Sequence, residues 1–191
     1  MSKIVVVTGV PGSGKSTVIK RVLDELKSKG VDYNFLNYGD VMLGLMSEKE
    51  SVSHRDDLRK VPIGRYREIQ REAAKQIARA AEKRPVLLDT HCLIKKPEGY
   101  YPGLPRWVLE ELNPDLIIIV EAKPEEIAGR RTRGVGRLRD KDLTSDIEEH
   151  QQLNRAAASA YAAISGVPVK IIQNSDKGLR RAVEEVVSVM G

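Results

Sequence analysis

Along this chain, short apolar runs alternate with longer stretches whose apolar residues recur every three or four positions, a pattern that predicts a layered α/β architecture. Lys3 to Thr8, built on Ile4-Val5-Val6-Val7, is apolar without polar alternation, as a strand covered on both faces must be. A helix follows, with Val18, Ile19, Val22, Leu23 and Leu26 on one face, Lys20, Arg21, Asp24, Glu25 and Lys27 on the other, and Gly30 as its stop. Tyr33 to Tyr38 predicts a second strand, and Asp40 is positioned to cap a helix through Met46. From Glu48 to Arg84 no strand pattern occurs. A short helix near Ser53–Lys60 and a long one over Pro62–Lys83, with Ile69, Ala73 and Ile77 on its inner stripe, predict a helical insertion.

Three more apolar runs, Pro85–Asp89, Asp115–Glu121 and Val167–Gln173, bring the expected parallel sheet to five strands. Gly99 to Pro105 is too rich in glycine, proline and tyrosine for regular structure and predicts a pocket-shaping loop, after which Trp107, Val108 and Leu112 start a short packing helix. Pro124 with Glu125 and Glu126 opens a further helix, and Ser145 with Glu148 reads as a capping box for an alanine-rich helix reaching Ile164. The last helix repeats Leu179, Ala182, Val183, Val186, Val187 and Met190 on one face.

The link between the first strand and the first helix carries the chemistry. Gly9-Val10-Pro11-Gly12-Ser13-Gly14-Lys15-Ser16-Thr17 has the spacing G-x-x-x-x-G-K-S, a phosphate-binding loop whose inward N–H groups join the positive end of the following helix. Lys15 is placed for the β- and γ-phosphates, Ser16 for Mg²⁺ and Thr17 for the region of the α-phosphate. Ligands of open α/β sheets lie beyond the carboxyl ends of the strands, so Asp89 faces this loop, either to hold Mg²⁺ or to cap the segment after it. His91 is placed to donate to a substrate phosphate or to serve as a satisfied loop histidine. Asn174 meets a purine base or completes a turn. In the insertion, Arg55, Arg59 and Arg65 are either phosphate ligands or a solvated helix face, with Arg59 the favoured ligand. Arg130, Arg131, Arg133, Arg137 and Arg139, interrupted by Gly134 and Gly136, predict a lid that closes over ATP, against the alternatives of a solvated loop or an RNA-binding arm.

Composition narrows the class. At 191 residues a single domain over 1–191 is expected, with a substrate-binding insertion at about 40–84 and a lid at about 130–145. No run of about 18 apolar residues predicts a membrane span, and the absence of a signal-like start predicts a cytoplasmic protein. Cys92 is the only cysteine, which excludes an internal disulfide and a multi-cysteine zinc site. The net charge of +5 suits polyanionic nucleotides as well as nucleic acid, but no RNP-like aromatic strand is present, so nucleic acid is not the expected partner.

Five strands, a phosphate loop, a helical insertion after strand two and an arginine lid after strand four resemble a nucleoside monophosphate kinase. GVPGSGKST at 9–17, Asn37-Tyr38-Gly39-Asp40, RDDLRK at 55–60, Asp89-Thr90-His91, GYYPGLP at 99–105 and Asn154-Arg155-Ala156-Ala157-Ala158 are similar to the archaeal type of adenylate kinase over essentially the whole chain. The resemblance implies a three-layer P-loop fold, the reaction ATP + AMP ⇌ 2 ADP with Mg²⁺, and a homotrimer. With that reaction, the residues themselves set the expected roles: Lys15, Arg137 and Arg139 catalytic, residues 9–17, Arg133 and Asn174 on ATP, Asp40, Arg59 and His91 on AMP, and Ser16 and Asp89 on Mg²⁺. Two departures from the bacterial and eukaryotic enzymes stand out. Leu43 replaces their AMP-phosphate arginine, and Asp89-Thr90-His91-Cys92-Leu93 replaces their D-G-F-P-R, so Arg59 and His91 are the substitutes expected here. The rivals are a kinase for another monophosphate or small molecule, a GTP switch, which should carry the N-K-x-D element this sequence lacks, and an RNA-associated ATPase.

Overall fold

The computed structural model describes residues 4–47, 61–96, 99–133 and 143–190. Its strands are β1 (Ile4–Thr8), β2 (Asn34–Asn37), β3 (Val86–Asp89), β4 (Leu93–Lys96), β5 (Gly99–Pro102), β6 (Leu116–Glu121) and β7 (Val169–Gln173). Its helices are α1 (Lys15–Ser28), α2 (Tyr38–Ser47), α3 (Ile63–Lys83), α4 (Arg106–Leu112), α5 (Pro124–Arg133), α6 (Thr144–Ser165) and α7 (Leu179–Met190). Five strands form the parallel sheet in the order β2-β3-β1-β6-β7. The expected short helix at 53–60 and most of the expected lid lie outside the described residues.

The central position of β1 follows from its unbroken apolar sequence. Val5 is level with Leu87 of β3 and Leu116 of β6, so neighbours flank it on both edges. Alternate residues then serve two cores. Ile4, Val6, Leu88, Ile117 and Ile119 pack beneath α2, α3, α4 and α6, while Val5, Val7, Leu87, Ile118 and Val120 pack beneath α1 and α7. Val18, Ile19, Val22 and Leu26 of α1 are all buried, each contributing about 1.5–3 kcal/mol of hydrophobic stabilisation, and this fixes the helix that begins at the phosphate loop.

Three expectations are corrected. The segment from Gly99 is not irregular: β4 and β5 pair antiparallel, with Ile94 opposite Tyr101 and Leu93 opposite Pro102. Two four-residue strands, one of them holding glycine and proline, give too little alternation to read locally, and pairing supplies the backbone partners. Asp40 does not cap α2. The helix begins two residues earlier, and the Asp40 N–H donates to Asn37 Oδ1 at 3.2 Å, leaving Asp40 in the first turn. Likewise α6 starts at Thr144, so the reciprocal end contact joins Leu143 and Asp146 instead of Ser145 and Glu148.

Candidate active site

The glycine loop leaves β1 at Gly9 and enters α1 at Lys15. A Cβ on Gly9 would stand 2.4 Å from the carbonyl oxygen of Val120, so only glycine lets the loop lie against β6. Gly14, with φ 85°, is the N-cap of α1 and supplies no side-chain cap, and the first turn of α1 holds no acidic residue. The leading N–H groups of the helix are therefore directed at the loop with their positive dipole uncompensated by a carboxylate, an arrangement that attracts an anion. The loop is braced internally: Ser13 N–H donates to Val10 O at 3.1 Å, and the N–H groups of Thr17 and Val18 both donate to Gly14 O.

Beyond the sheet's carboxyl edge, the ends of β2 and β3 meet the start of α1. The Lys15 ammonium contacts Asp89 Oδ1 at the end of β3, and Asn37 Nδ2, at the end of β2, donates to Asp89 Oδ2 at 2.9 Å. Lys15 and Asp89 are both buried. Removing two opposite charges from water costs several kcal/mol per ion and returns little net stability, so a buried pair at the phosphate loop points to chemistry. Ser16 and Thr17 are exposed at the start of α1, and the buried Ser13 hydroxyl has no hydrogen-bond partner among the described residues.

His91 is exposed beside the loop, its Nδ1 3.4 Å from Gly9 O. Its neighbours hold it there. Cys92 N–H donates to Thr8 Oγ1 at 2.8 Å, while Cys92 O accepts from Gly103 N–H at 2.7 Å and from the Tyr161 hydroxyl at 2.8 Å. A Cβ on Gly103 would overlap His91 O, so the hairpin of β4 and β5 closes on this segment only through glycine. Burial pushes the Cys92 thiol up to about 11 despite its bond with Thr8, which keeps it protonated.

Of the other expected site residues, Asp40 is exposed and lines a surface pocket of about 450 Å³ with Phe35, Asn37, Val41 and Gln76, on the side of the edge strand β2. Asn174 follows β7, but its side chain is buried and donates to Ser13 O at 2.8 Å, beneath the phosphate loop. Arg133 closes α5. Arg59, Arg137 and Arg139 lie outside the described residues. Arg55 does too, whereas Arg65 is on α3, paired with Glu68 at 3.0 Å.

Sequence reasoning did not single out Asn37 as the partner of Asp89, although its place at a strand's carboxyl end is the available signal. Nor did it pair Glu121 with Arg155, which stood only within a family motif, and it placed Arg130 in the lid and not against the phosphate loop. Glu121 lies at the end of β6 in a bidentate contact with Arg155, and Arg130 reaches Ser13 O at 3.1 Å; no local pattern announces contacts across such separations. Among the described residues no cluster of three His, Cys, Asp or Glu forms a metal site, and no helix is long and apolar enough to cross a membrane.

This sheet order, with the Lys15–Asp89 pair at the mouth of a glycine loop, defines a P-loop nucleotide-binding fold of the kinase type. The family described as an AAA domain matches residues 8–148. Solved structures with the same fold include a shikimate kinase from Bacteroides thetaiotaomicron (TM-score 0.59, 14% identity, covering 100% of this chain and 99% of that one) and a sugar kinase from Janibacter (TM-score 0.53, 17% identity, covering 100% and 92%). At such identities the likeness is one of fold. Sequence similarity is much closer to adenylate kinases of Methanopyrus kandleri (51% identical, covering 100% of this chain and 98% of the relative), Methanocaldococcus jannaschii (48%; 99% and 98%) and Pyrococcus abyssi (46%; 100% and 96%). The chain belongs to the adenylate kinase family, and is thus a nucleoside monophosphate kinase, a phosphotransferase.

Proposed function

We propose that the protein catalyses ATP + AMP ⇌ 2 ADP with Mg²⁺ and so balances the adenine nucleotides of the cytoplasm. The observation that carries the reading is similarity to adenylate kinases along the full length of the chain, joined to a phosphate loop whose lysine meets the carboxylate at the end of β3.

In this reading the amides of residues 9–17 surround the β- and γ-phosphates of ATP, and Lys15 turns from Asp89 to their oxygens. The donor set suits Mg²⁺, a hard cation that takes one or two protein oxygens and keeps several waters. Asp89 offers a buried carboxylate oxygen whose present partner is the Lys15 ammonium, and Ser16 an exposed hydroxyl. When bound, Mg²⁺ neutralises charge on the transferring phosphates. The AMP phosphate attacks the γ-phosphorus in line as the bond to the departing ADP oxygen breaks. No general base is required, because a phosphate dianion is already nucleophilic. Lys15, with Arg137 and Arg139 of the lid, stabilises the spreading charge, and Arg133 adds an ATP contact. Asp40, Arg59 and His91 hold AMP, with His91 favoured by its position beside Gly9. The alanine-rich α6 suits close approach of another subunit, in keeping with a homotrimer, which light scattering would measure.

Incubating purified protein with Mg-ATP and AMP, CMP, UMP or GMP in turn, then resolving the products, tests the reaction. ADP formed stoichiometrically with AMP alone is expected. Another preferred acceptor, or ADP release that ignores the acceptor, would replace this reading by one of its rivals.

A further inference from the structure

Two consecutive arginines at the end of α5 do not point into open space. Arg130 Nη1 donates to Ser13 O at 3.1 Å, its Nη2 to Asn174 O at 2.9 Å, and its Nε and Nη2 to Asp176 Oδ1 at 2.9 and 2.7 Å. Glu126 lies 3.8 Å from the same guanidinium. Arg131 Nε donates to Pro11 O at 2.8 Å. The buried amide of Asn174 is a second donor to Ser13 O, at 2.8 Å.

In a trans peptide the carbonyl and the following N–H lie in one plane and point in opposite directions. Donors that pull Ser13 O and Pro11 O toward α5 and Asn174 therefore turn the N–H groups of Gly14 and Gly12 the other way. A Cβ on Gly14 would come within 2.3 Å of Asn174 Nδ2, and one on Gly12 within 3.1 Å of Arg131 Cγ, so both side chains approach through the space that glycine leaves. These two glycines serve the braces as well as the turn. Arg130, with all three nitrogens committed to protein oxygens, is held as a strut.

We propose that Arg130, Arg131 and Asn174 are positioning residues of the phosphate loop, which fix the outward carbonyls of Pro11 and Ser13 and thereby aim the amides of Gly12 and Gly14 at the phosphates of ATP. The inference rests on the kinase reading above and deepens it. The aimed amides meet phosphates in the ground state as much as during transfer, so their loss weakens ATP binding more than it slows the chemical step.

The test compares wild type with Asn174→Asp, which keeps the shape but removes the donor, Asn174→Ala, Arg130→Ala and Arg130→Lys. Mg-ATP is titrated calorimetrically without acceptor, and kcat and both KM values are measured at equal concentrations of folded protein, as fixed by thermal melting. Each variant lacking a donor to Ser13 O should raise Kd and KM for ATP about tenfold, the effect of one lost hydrogen bond to a group that must stay aligned, while KM for AMP stays within about twofold. Arg130→Lys, with one donor still in reach, should recover part of the loss. Should Arg130→Ala not fold, the Asn174 variants, which leave the other Arg130 contacts intact, decide the matter. Unchanged ATP affinity in folded Asn174→Asp would overturn the proposal, as would a fall in kcat at constant KM for ATP in Arg130→Ala, which would assign Arg130 to the transferring phosphoryl group. Wild-type protein that takes up no Mg-ATP would sink the kinase reading itself, whereas equal binding by wild type and all variants sinks this inference alone.

Discussion

Arg155 on α6 grips Glu121 at the end of β6 through two parallel bonds, Nε to Oε1 at 2.8 Å and Nη2 to Oε2 at 2.5 Å, across 34 residues of chain. Gln173 at the end of β7 adds a bond to Oε2 at 3.1 Å, so one buried carboxylate ties a helix and two strands together at the edge of the sheet that carries the phosphate loop. The hydrogen bonds to Glu121 raise the Arg155 pKa and keep its charge fixed.

Removing Arg155 leaves Glu121 buried with only Gln173. Arg155→Ala should therefore cost about 2–4 kcal/mol in urea unfolding, toward the lower end of the range for breaking a buried pair because the guanidinium is half exposed. Arg155→Lys should recover less than half, since a single ammonium cannot reproduce the planar fork. A cost under about 0.5 kcal/mol would mean that the contact behaves as a surface pair.

Lys15→Ala should lower kcat by at least about 10²-fold, the scale for losing a donor aimed at transition-state charge. It also strands Asp89, so rates must be normalised to folded protein. Near-normal turnover in a coupled ADP assay would reject the role given to Lys15.

Chelation by EDTA should abolish turnover, and added Mg²⁺ should restore it. Asp89→Asn should raise the Mg²⁺ concentration for half-maximal rate at least about tenfold, as loss of a metal-orienting carboxylate does. An unchanged Mg²⁺ dependence in that variant would move the metal contact elsewhere.

The Cys92 thiol is held at about 11 in the folded protein, against an ordinary value of 9.0. Between those values the unfolded chain has lost this proton and the folded chain retains it, so stability falls as pH rises from about 9 to 11. Burial likewise raises the Tyr38 and Tyr161 hydroxyls, which act in the same direction at higher pH. Unfolding free energies measured across pH 8–11 should decline in wild type and decline less in Cys92→Ala. A curve that rises with pH would contradict the assignment.

Much of the sheet was legible because its signal is local. The apolar runs at 4–8, 86–89 and 116–121 have residues facing both cores, so each announces a central strand without reference to the others. The hairpin of β4 and β5 was not legible, because it consists of pairing between two short stretches of weak propensity. The start of α2 was misplaced for a related reason: Asn37 and Asp40 are both good caps, and only the path of the chain out of β2 chose between them.

From its residues alone this polypeptide determined a phosphate loop, the flanking strand and helix, and the nature of the chemistry, since G-x-x-x-x-G-K-S works through backbone conformations and charges carried within nine residues. The fold alone decided that Asn37 would meet Asp89, that Glu121 would meet Arg155, and that the side chain of Asn174 would donate to Ser13 O. Such contacts join strand ends brought side by side by the order β2-β3-β1-β6-β7, and that order is set by how two cores pack, a property of the assembled sheet that no single segment contains.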